Sequence, residues 1–572
     1  MGQHFTRRRM LQLSGLLTAG ISLSACSSEN SSADSPTSAH PVTFRFANAA
    51  ETSSLDVGTS GTLETARISA QILEPLVRAN INTGEPEASL ASDWSVSDDY
   101  RTYTFTLVSG VKFQDGTDFN AAAVVKNYQR WVSVSQDTAS NSHIEYLQIL
   151  SSLNSKDGKT PLVTDCQEHE GKVIFTLSRP SASFLRALTQ PAFGICAPSA
   201  LTKNLSLKKF PVGTGAYTVT SWDGRAAQLD YYTGFRGDKP TVERIIFTAI
   251  PDAEKRFVAM LNDEVDGYDL VGGDNYVELA RHGKLTQPRD PYSICYISFN
   301  LQNKILSSRE MRSAIAHAVD RNFLVKKYFP QGTNVAVDFL PSLFMMKNED
   351  TSAYYTHKTD ITADRLKEAG YKGEPIEFYY PTDVSLPWMI SPEVIFASIS
   401  ADLVKAGINI TPKPVPWTDG YLDIISKPSE TRGLALTGFV GSYRDPNAFL
   451  SRVLAPTSEI ISQAEKTKAV APDVDVEASP LPVPTPSAAE KDREELVVSY
   501  REILEAIRNA DQLIDDQERK EAYTAINLKV AQLMPAFPLC YPVSAVALGQ
   551  RVNYYPLSAT AVSEFALANV KP

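Results

Sequence analysis

The side chains most ready for chemistry are five cysteines and seven histidines, and their spacing limits what they can do. Cys26 closes the run Leu23-Ser24-Ala25-Cys26, where small residues precede a thiol. A peptidase that accepts only small side chains could cut there, leaving the sulfur to receive a diacylglyceryl group. Cys166, Cys196, Cys295 and Cys540 form no C-x-x-C, so neither a thioredoxin-type site nor a paired-cysteine zinc site is supported. In an oxidising compartment four cysteines permit disulfides, and buried free thiols are the alternative. The histidines (His4, His40, His143, His169, His282, His317 and His357) hold no pair at ligand spacing, so no metal site and no cofactor are expected.

Catalytic patterns are missing as well. The chain has no H-E-x-x-H, no G-x-S-x-G and no Walker loop. Its glycine-rich stretch, 211–220 (PVGTGAYTVT), lacks the following Gly-Lys-Ser/Thr and runs into a strand rather than a helix, so it is a structural turn. Scattered acids could still hydrolyse a glycoside, but no feature singles out a pair, and an enzyme is not expected. The net charge of −11 and pI near 5.3 oppose a nucleic-acid partner, which would call for a basic footprint.

The elements that carry these residues begin with an export segment. Residues 1–9 hold three arginines and no acid, and the mostly apolar run 10–23 is too short to span a bilayer. Residues 1–25 are therefore expected to be a signal peptide, and Leu23–Cys26 resembles a bacterial lipobox. Thr6–Leu11 also resembles a twin-arginine export signal, with general secretion as the alternative. Residues 26–41 form a Ser-rich tether behind the lipidated Cys26, with too few apolar groups to bury a core. Two acyl chains there would give stable anchoring to a membrane.

Beyond residue 42 strands and helices alternate, which predicts an α/β protein. Alternation predicts strands over 42–48, 103–107, 173–177, 227–232, 244–250 and 376–380. Apolar spacing predicts helices over 65–77, from Asn120, and from Ser307, where Ser307 and Glu310 would form a capping box. Ser391 is expected to cap a helix striped by Ile395, Ile399 and Leu403. With the strands around it at 376–380 and 408–415, that helix implies a parallel pair joined by a crossover. Residues 470–489 are Pro-rich and poor in large apolar groups, and are expected to be an exposed insertion.

Several ordered motifs carry a resemblance from about residue 44 to 560. They are Leu73-Glu74-Pro75-Leu76-Val77, Leu90-Ala91-Ser92-Asp93-Trp94, Gly110 to Gly116, Pro211 to Tyr217, Arg312 to Arg321, Leu403 to Ile408, and Tyr443-Arg444-Asp445-Pro446. The chain resembles an extracytoplasmic solute-binding protein of the peptide/nickel ABC-transporter family, family 5. The resemblance implies a two-lobe periplasmic-binding-protein-like fold of the peptide-binding cluster. Lobe 1 would comprise 42–80, 200–293 and 535–572, with an extra subdomain at 81–199, and lobe 2 would be 294–534. The chain crossings near Cys295 and Cys540 run side by side in the family, which implies a candidate Cys295–Cys540 bridge and leaves Cys166–Cys196 as the other pair.

The implied role is capture of a small solute, a peptide first of all, by hinge closure, with delivery to ABC permease subunits. An oligosaccharide or a metal chelate is the alternative ligand. The implied protein is a monomer, exported and held by its lipid on the outer face of the cell membrane or in the periplasm. In dipeptide and oligopeptide binders the loop before Tyr-x-(Asp/Glu)-Pro carries an aspartate that pairs with the ligand's α-amino group, and Ser442 occupies that place. Thr59 and Ser60, Trp388 and Trp417, Phe439, and the loop residues Ser442, Tyr443, Arg444 and Asp445 are the expected ligand contacts.

Overall fold

Thr43–Asn48 turns Phe44 and Phe46 inward, and both are fully buried. In this computed structural model, which describes residues 40–137, 150, 160–344, 349–427, 429–454, 488–560 and 562–572, that strand is the spine of a seven-stranded sheet. It runs parallel to Arg244–Ala249 on one side and to Gly267–Asp269 on the other. Leu285–Pro288, Ala545–Leu548, Ala226–Tyr231 and Tyr217–Trp222 complete the sheet. Phe46 meets Phe565 edge-on at 5.4 Å and stacks on Tyr555 at 6.2 Å, so the final residues of the chain seal this core.

A second, six-stranded sheet centres on Ser293–Phe299, flanked antiparallel by Arg432–Val440 and Ala536–Tyr541. Ile376–Thr382 and Ile410–Pro416 pair in parallel, as the strand–helix–strand pattern predicts. The helix between them, Pro392–Lys405, buries Ile395, Ile399 and Leu403. Arg312 and Arg321, from the quoted motif, are buried and stitch this half together through backbone carbonyls. Arg312 donates to Leu306, Ser307, Leu533 and Met534, and Arg321 to Ala336, Tyr355 and Pro538. Burial pulls both guanidinium groups down to about 10.

A third sheet joins Ala91–Val96, Thr102–Leu107, Lys172–Leu177 and Val163–His169, within the expected subdomain. Residues 41–572 form one compact body. Cys26, nearly all of the tether and nearly all of the 470–489 insertion lie outside the described residues.

The structure departs from the expected elements at several points. The helix expected over 65–77 ends early, as Leu63–Ser69. The carbonyls of Gln71 and Ile72 are instead taken by the backbone N–H groups of Tyr217 and Gly215. This contact explains the glycine-rich turn, because a Cβ on Gly213 would sit 1.9 Å from the Ile72 oxygen. The capping serine is Ser308, whose Oγ accepts from the Met311 N–H at 3.2 Å, while Ser307 bonds back to Lys304. Ser391 holds the N-cap position without a side-chain cap bond. Ala536–Tyr541, expected in lobe 1, pairs with the second sheet, so the return crossing falls after Tyr541.

The candidate disulfides are not formed: Cys166, Cys196, Cys295 and Cys540 are all free and buried. Cys196 is fixed elsewhere, because the Asn127 side chain bonds both its N–H and its carbonyl. Cys295 and Cys540 do stand opposite each other across the ladder, thiol beside thiol. Burial pushes the Cys166, Cys196 and Cys540 thiols up, away from the reactive thiolate. Alkylation without reductant should therefore modify all four of these cysteines in denaturant and few or none in native protein. A product lacking one pair of alkyl groups would reveal a bridge and contradict this assignment.

Candidate functional site

A cavity of about 540 Å³ is lined on one side by the segments 50–66 and 189–192, which follow the first strand and the third sheet in the chain, and on the other by strands and loops of the second large sheet. On the first-sheet side the wall starts from a turn at Asp56, whose carboxylate accepts from the Gly58 N–H and pairs with buried Arg130. The turn leads to Thr59 and Ser60, and both line the cavity. Thr59 donates to the Asp56 carbonyl, and the Ser60 and Thr65 hydroxyls bond each other at 3.0 Å. The wall is thus built from hydroxyls already tied to one another, on a segment held by an ion pair.

The opposite wall is aromatic. Phe439, Trp388 and Trp417 all line the cavity. Phe439 ends the Arg432–Val440 strand and packs edge-on to Tyr296 at 6.2 Å. Trp388 lies against Gly438, where a Cβ would come within 2.4 Å of the indole. Trp417 stacks on Tyr421 at 6.2 Å, and the Tyr421 hydroxyl donates to the Leu436 carbonyl at 2.7 Å.

The loop after this strand divides its expected contacts. Ser442 lines the cavity, and among the described residues its hydroxyl is buried with no partner. Tyr443, Arg444 and Asp445 are not among the lining residues of this cavity. Tyr443 turns into the core with 1% exposure. Arg444 folds over Gly84 and donates to the Ala559 carbonyl at 3.1 Å. Asp445 is fully buried, and both its oxygens accept from Arg519 at 2.6 Å. Burial works against the Arg519 charge, and the Asp445 carboxylate outweighs it, so the guanidinium is held firmly protonated.

The cavity also exposes residues that the sequence did not mark, above all Glu64, Gln190 and Arg452. Glu64 lies in the first turn of Leu63–Ser69 and is 8% exposed. In sequence, an acid at that position is indistinguishable from an ordinary partner of the helix N-terminus. Arg452 stands over the Phe439 ring at 5.2 Å. Among the described residues no group of three His, Cys, Asp or Glu could hold a metal ion, and His317 is packed with its Nδ1 against the Thr356 carbonyl.

Comparison with known proteins adds to this geometry. Residues 85–459 match the family described as bacterial extracellular solute-binding proteins, family 5, middle. The dipeptide-binding protein of Escherichia coli K12 is 26% identical over 468 residues, covering 78% of this chain and 84% of that protein. Heme-binding protein A of Haemophilus influenzae is 25% identical over 420 residues, covering 68% and 72%. The crystal structure of a dipeptide-binding protein from Pseudoalteromonas sp. SM9913, in complex with Met-Leu, superposes with a TM-score of 0.76 at 19% identity, covering 92% of this chain and all (100%) of that one. The two-lobe periplasmic binding fold is thereby shown, with the cavity in the place between the lobes.

Proposed function

This chain belongs to the bacterial extracellular solute-binding proteins of family 5, and from that premise we propose that it captures a peptide or peptide-like solute between its lobes and delivers it to the permease of an ABC importer. The observation that carries the reading is the interlobe cavity of about 540 Å³, walled by hydroxyls on one side and aromatic rings on the other. A volume of that order suits a ligand of a few residues. The family is one of solute binders, not of enzymes. A ligand that touches both walls only when the lobes close shifts the population toward the closed form, which a permease can then recognise.

The chain works outside the cytoplasm as a monomer, held to the outer face of the membrane by lipid on Cys26. The export signal and the lipobox support this, and no described helix is long and apolar enough to cross a membrane itself. An oligosaccharide is the second reading, favoured by Trp388 and Trp417, whose faces could stack on sugar rings.

Ser442 leaves this wall without the carboxylate that a ligand's ionised N-terminus would call for. A serine offers a hydrogen bond but no counter-charge, so little affinity rests on an ionised α-amino group at this loop. N-acetylation of a bound peptide should therefore lower affinity by less than about tenfold, that is, by less than about 1.4 kcal/mol. Isothermal titration with matched free and acetylated peptides measures this, and abolition of binding by the acetyl group would contradict the role given to Ser442.

A further inference from the structure

Asp511 is the last residue of the helix Ala488–Asp511, where an acid works against the helix dipole, yet it is 1% exposed. The Ser181 hydroxyl donates to one of its carboxylate oxygens at 2.8 Å, the Ser183 N–H to the other at 3.2 Å, and the Ala182 N–H to its carbonyl at 2.7 Å. Arg179 stands 3.9 Å from the carboxylate. A second set of contacts runs alongside. The Asn447 amide donates to the Ser183 hydroxyl at 3.4 Å, and Arg186 lies between Asp445 at 3.9 Å and Glu85 at 2.9 Å. The partners belong to opposite walls of the cavity. Residues 181–183 lead through Phe184–Ala187 into 189–192, which line one wall. The helix that ends at Asp511 packs against Asp516–Leu533, whose end Arg312 ties into the half built on the second sheet. Asp445 and Asn447 follow the Arg432–Val440 strand of that sheet. Ser181, Ser183 and Asp511 do not line the cavity themselves.

We infer that Asp511 and residues 181–183 form a clasp that holds the two cavity walls together without touching the ligand, and so sets how firmly the cleft stays shut. This rests on the lobe closure read above and adds residues outside the cleft that act on it. The three hydrogen bonds form when the walls meet and are lost when they part. Two of them go to a carboxylate shielded from water, and such charge-assisted bonds are roughly twice as strong as neutral ones. Contacts made only in the closed form shift the population toward it, as a ligand does. The loop Ser442–Asn447 links the two sites: Ser442 faces the cavity, while Asp445 and Asn447 face Arg186 and Ser183. A ligand that settles against Ser442 therefore also seats the clasp.

The test follows release of trileucine from the full chain by stopped flow, in wild type, Asp511→Asn, Ser181→Ala and the double variant, with small-angle scattering of each ligand-free chain. Asp511→Asn keeps the shape of the side chain and removes its charge. It should release trileucine about ten- to hundredfold faster, the range of a charge-assisted hydrogen bond, with association little changed. Its ligand-free radius of gyration should exceed that of wild type. Ser181→Ala should speed release by a smaller factor, and it carries the test alone should Asp511→Asn fail to fold. The double variant should release no faster than Asp511→Asn, because both changes remove the same bond. Wild-type release rates in the variants, whatever their melting temperatures, would make these contacts a fixed interface and overturn the clasp while the peptide reading stands. If wild type binds no trileucine, the peptide reading fails and scattering decides the clasp: a larger radius in Asp511→Asn supports it, and an equal radius overturns it.

Discussion

Asp445→Ala should destabilise the folded protein by about 3–5 kcal/mol, the usual consequence of removing one partner of a buried ion pair. Asp445 is wholly inaccessible, and Arg519, its bidentate partner at 2.6 Å, has a side chain only 8% exposed. Asp445 also accepts from the Asn447 N–H at 2.9 Å, and Arg186 approaches within 3.9 Å. Without the carboxylate, a guanidinium that cannot lose its proton is left in the core beside Tyr523. Asp445→Leu combined with Arg519→Met should recover most of the loss, because the cost lies in the charge left alone rather than in the pair. Urea unfolding of the single and double variants measures both quantities, and a loss under about 1 kcal/mol for Asp445→Ala would show that the guanidinium finds water or another acid. The ion pair anchors the loop on which Ser442 stands, three residues away, so the single variant should also weaken ligand binding.

Trp388→Ala should cost about 2–4 kcal/mol of binding, roughly thirty- to a thousandfold in affinity, as truncation of a central aromatic anchor commonly does. The indole lines the cavity, rests on Gly438 and carries a buried N–H that has no partner among the described residues. The variant opens the second-lobe wall and removes the donor at once. Trp388→Phe should recover part of the loss, since the apolar face returns and the N–H does not. Titration of the two variants separates these contributions, and wild-type affinity in Trp388→Ala would place the ligand elsewhere in the cleft.

The sequence carried the fold well where spacing is strong. The stripe Ile395, Ile399 and Leu403 and the strands around it come out as a parallel pair with a helical crossover, because a buried helix face and a sheet strand each impose their own period. It misjudged elements whose ends are set by distant partners. The helix from Leu63 stops at Ser69 because Gly215 and Tyr217, far along the chain, claim the next carbonyls. Cavity-facing Thr59, Ser60, Trp388, Trp417, Phe439 and Ser442 were legible through the family resemblance. Tyr443, Arg444 and Asp445 were not, because nothing in their order shows that the chain turns inward directly after Ser442. Glu64 and Arg452 were missed for a related reason: a charge near the start of a helix is ordinary in sequence, and only three-dimensional packing reveals that both line the cavity and that Glu64 is buried there.

Native mass spectrometry of the full chain with trileucine tests the central claim most directly. The account predicts one peptide per protein chain, recovered intact after release, with melting raised by about 2.7 kcal/mol when free peptide stands at a hundred times its dissociation constant. Absence of any peptide adduct, or release of the peptide as cleaved fragments, would contradict a receptor that captures and hands over its ligand.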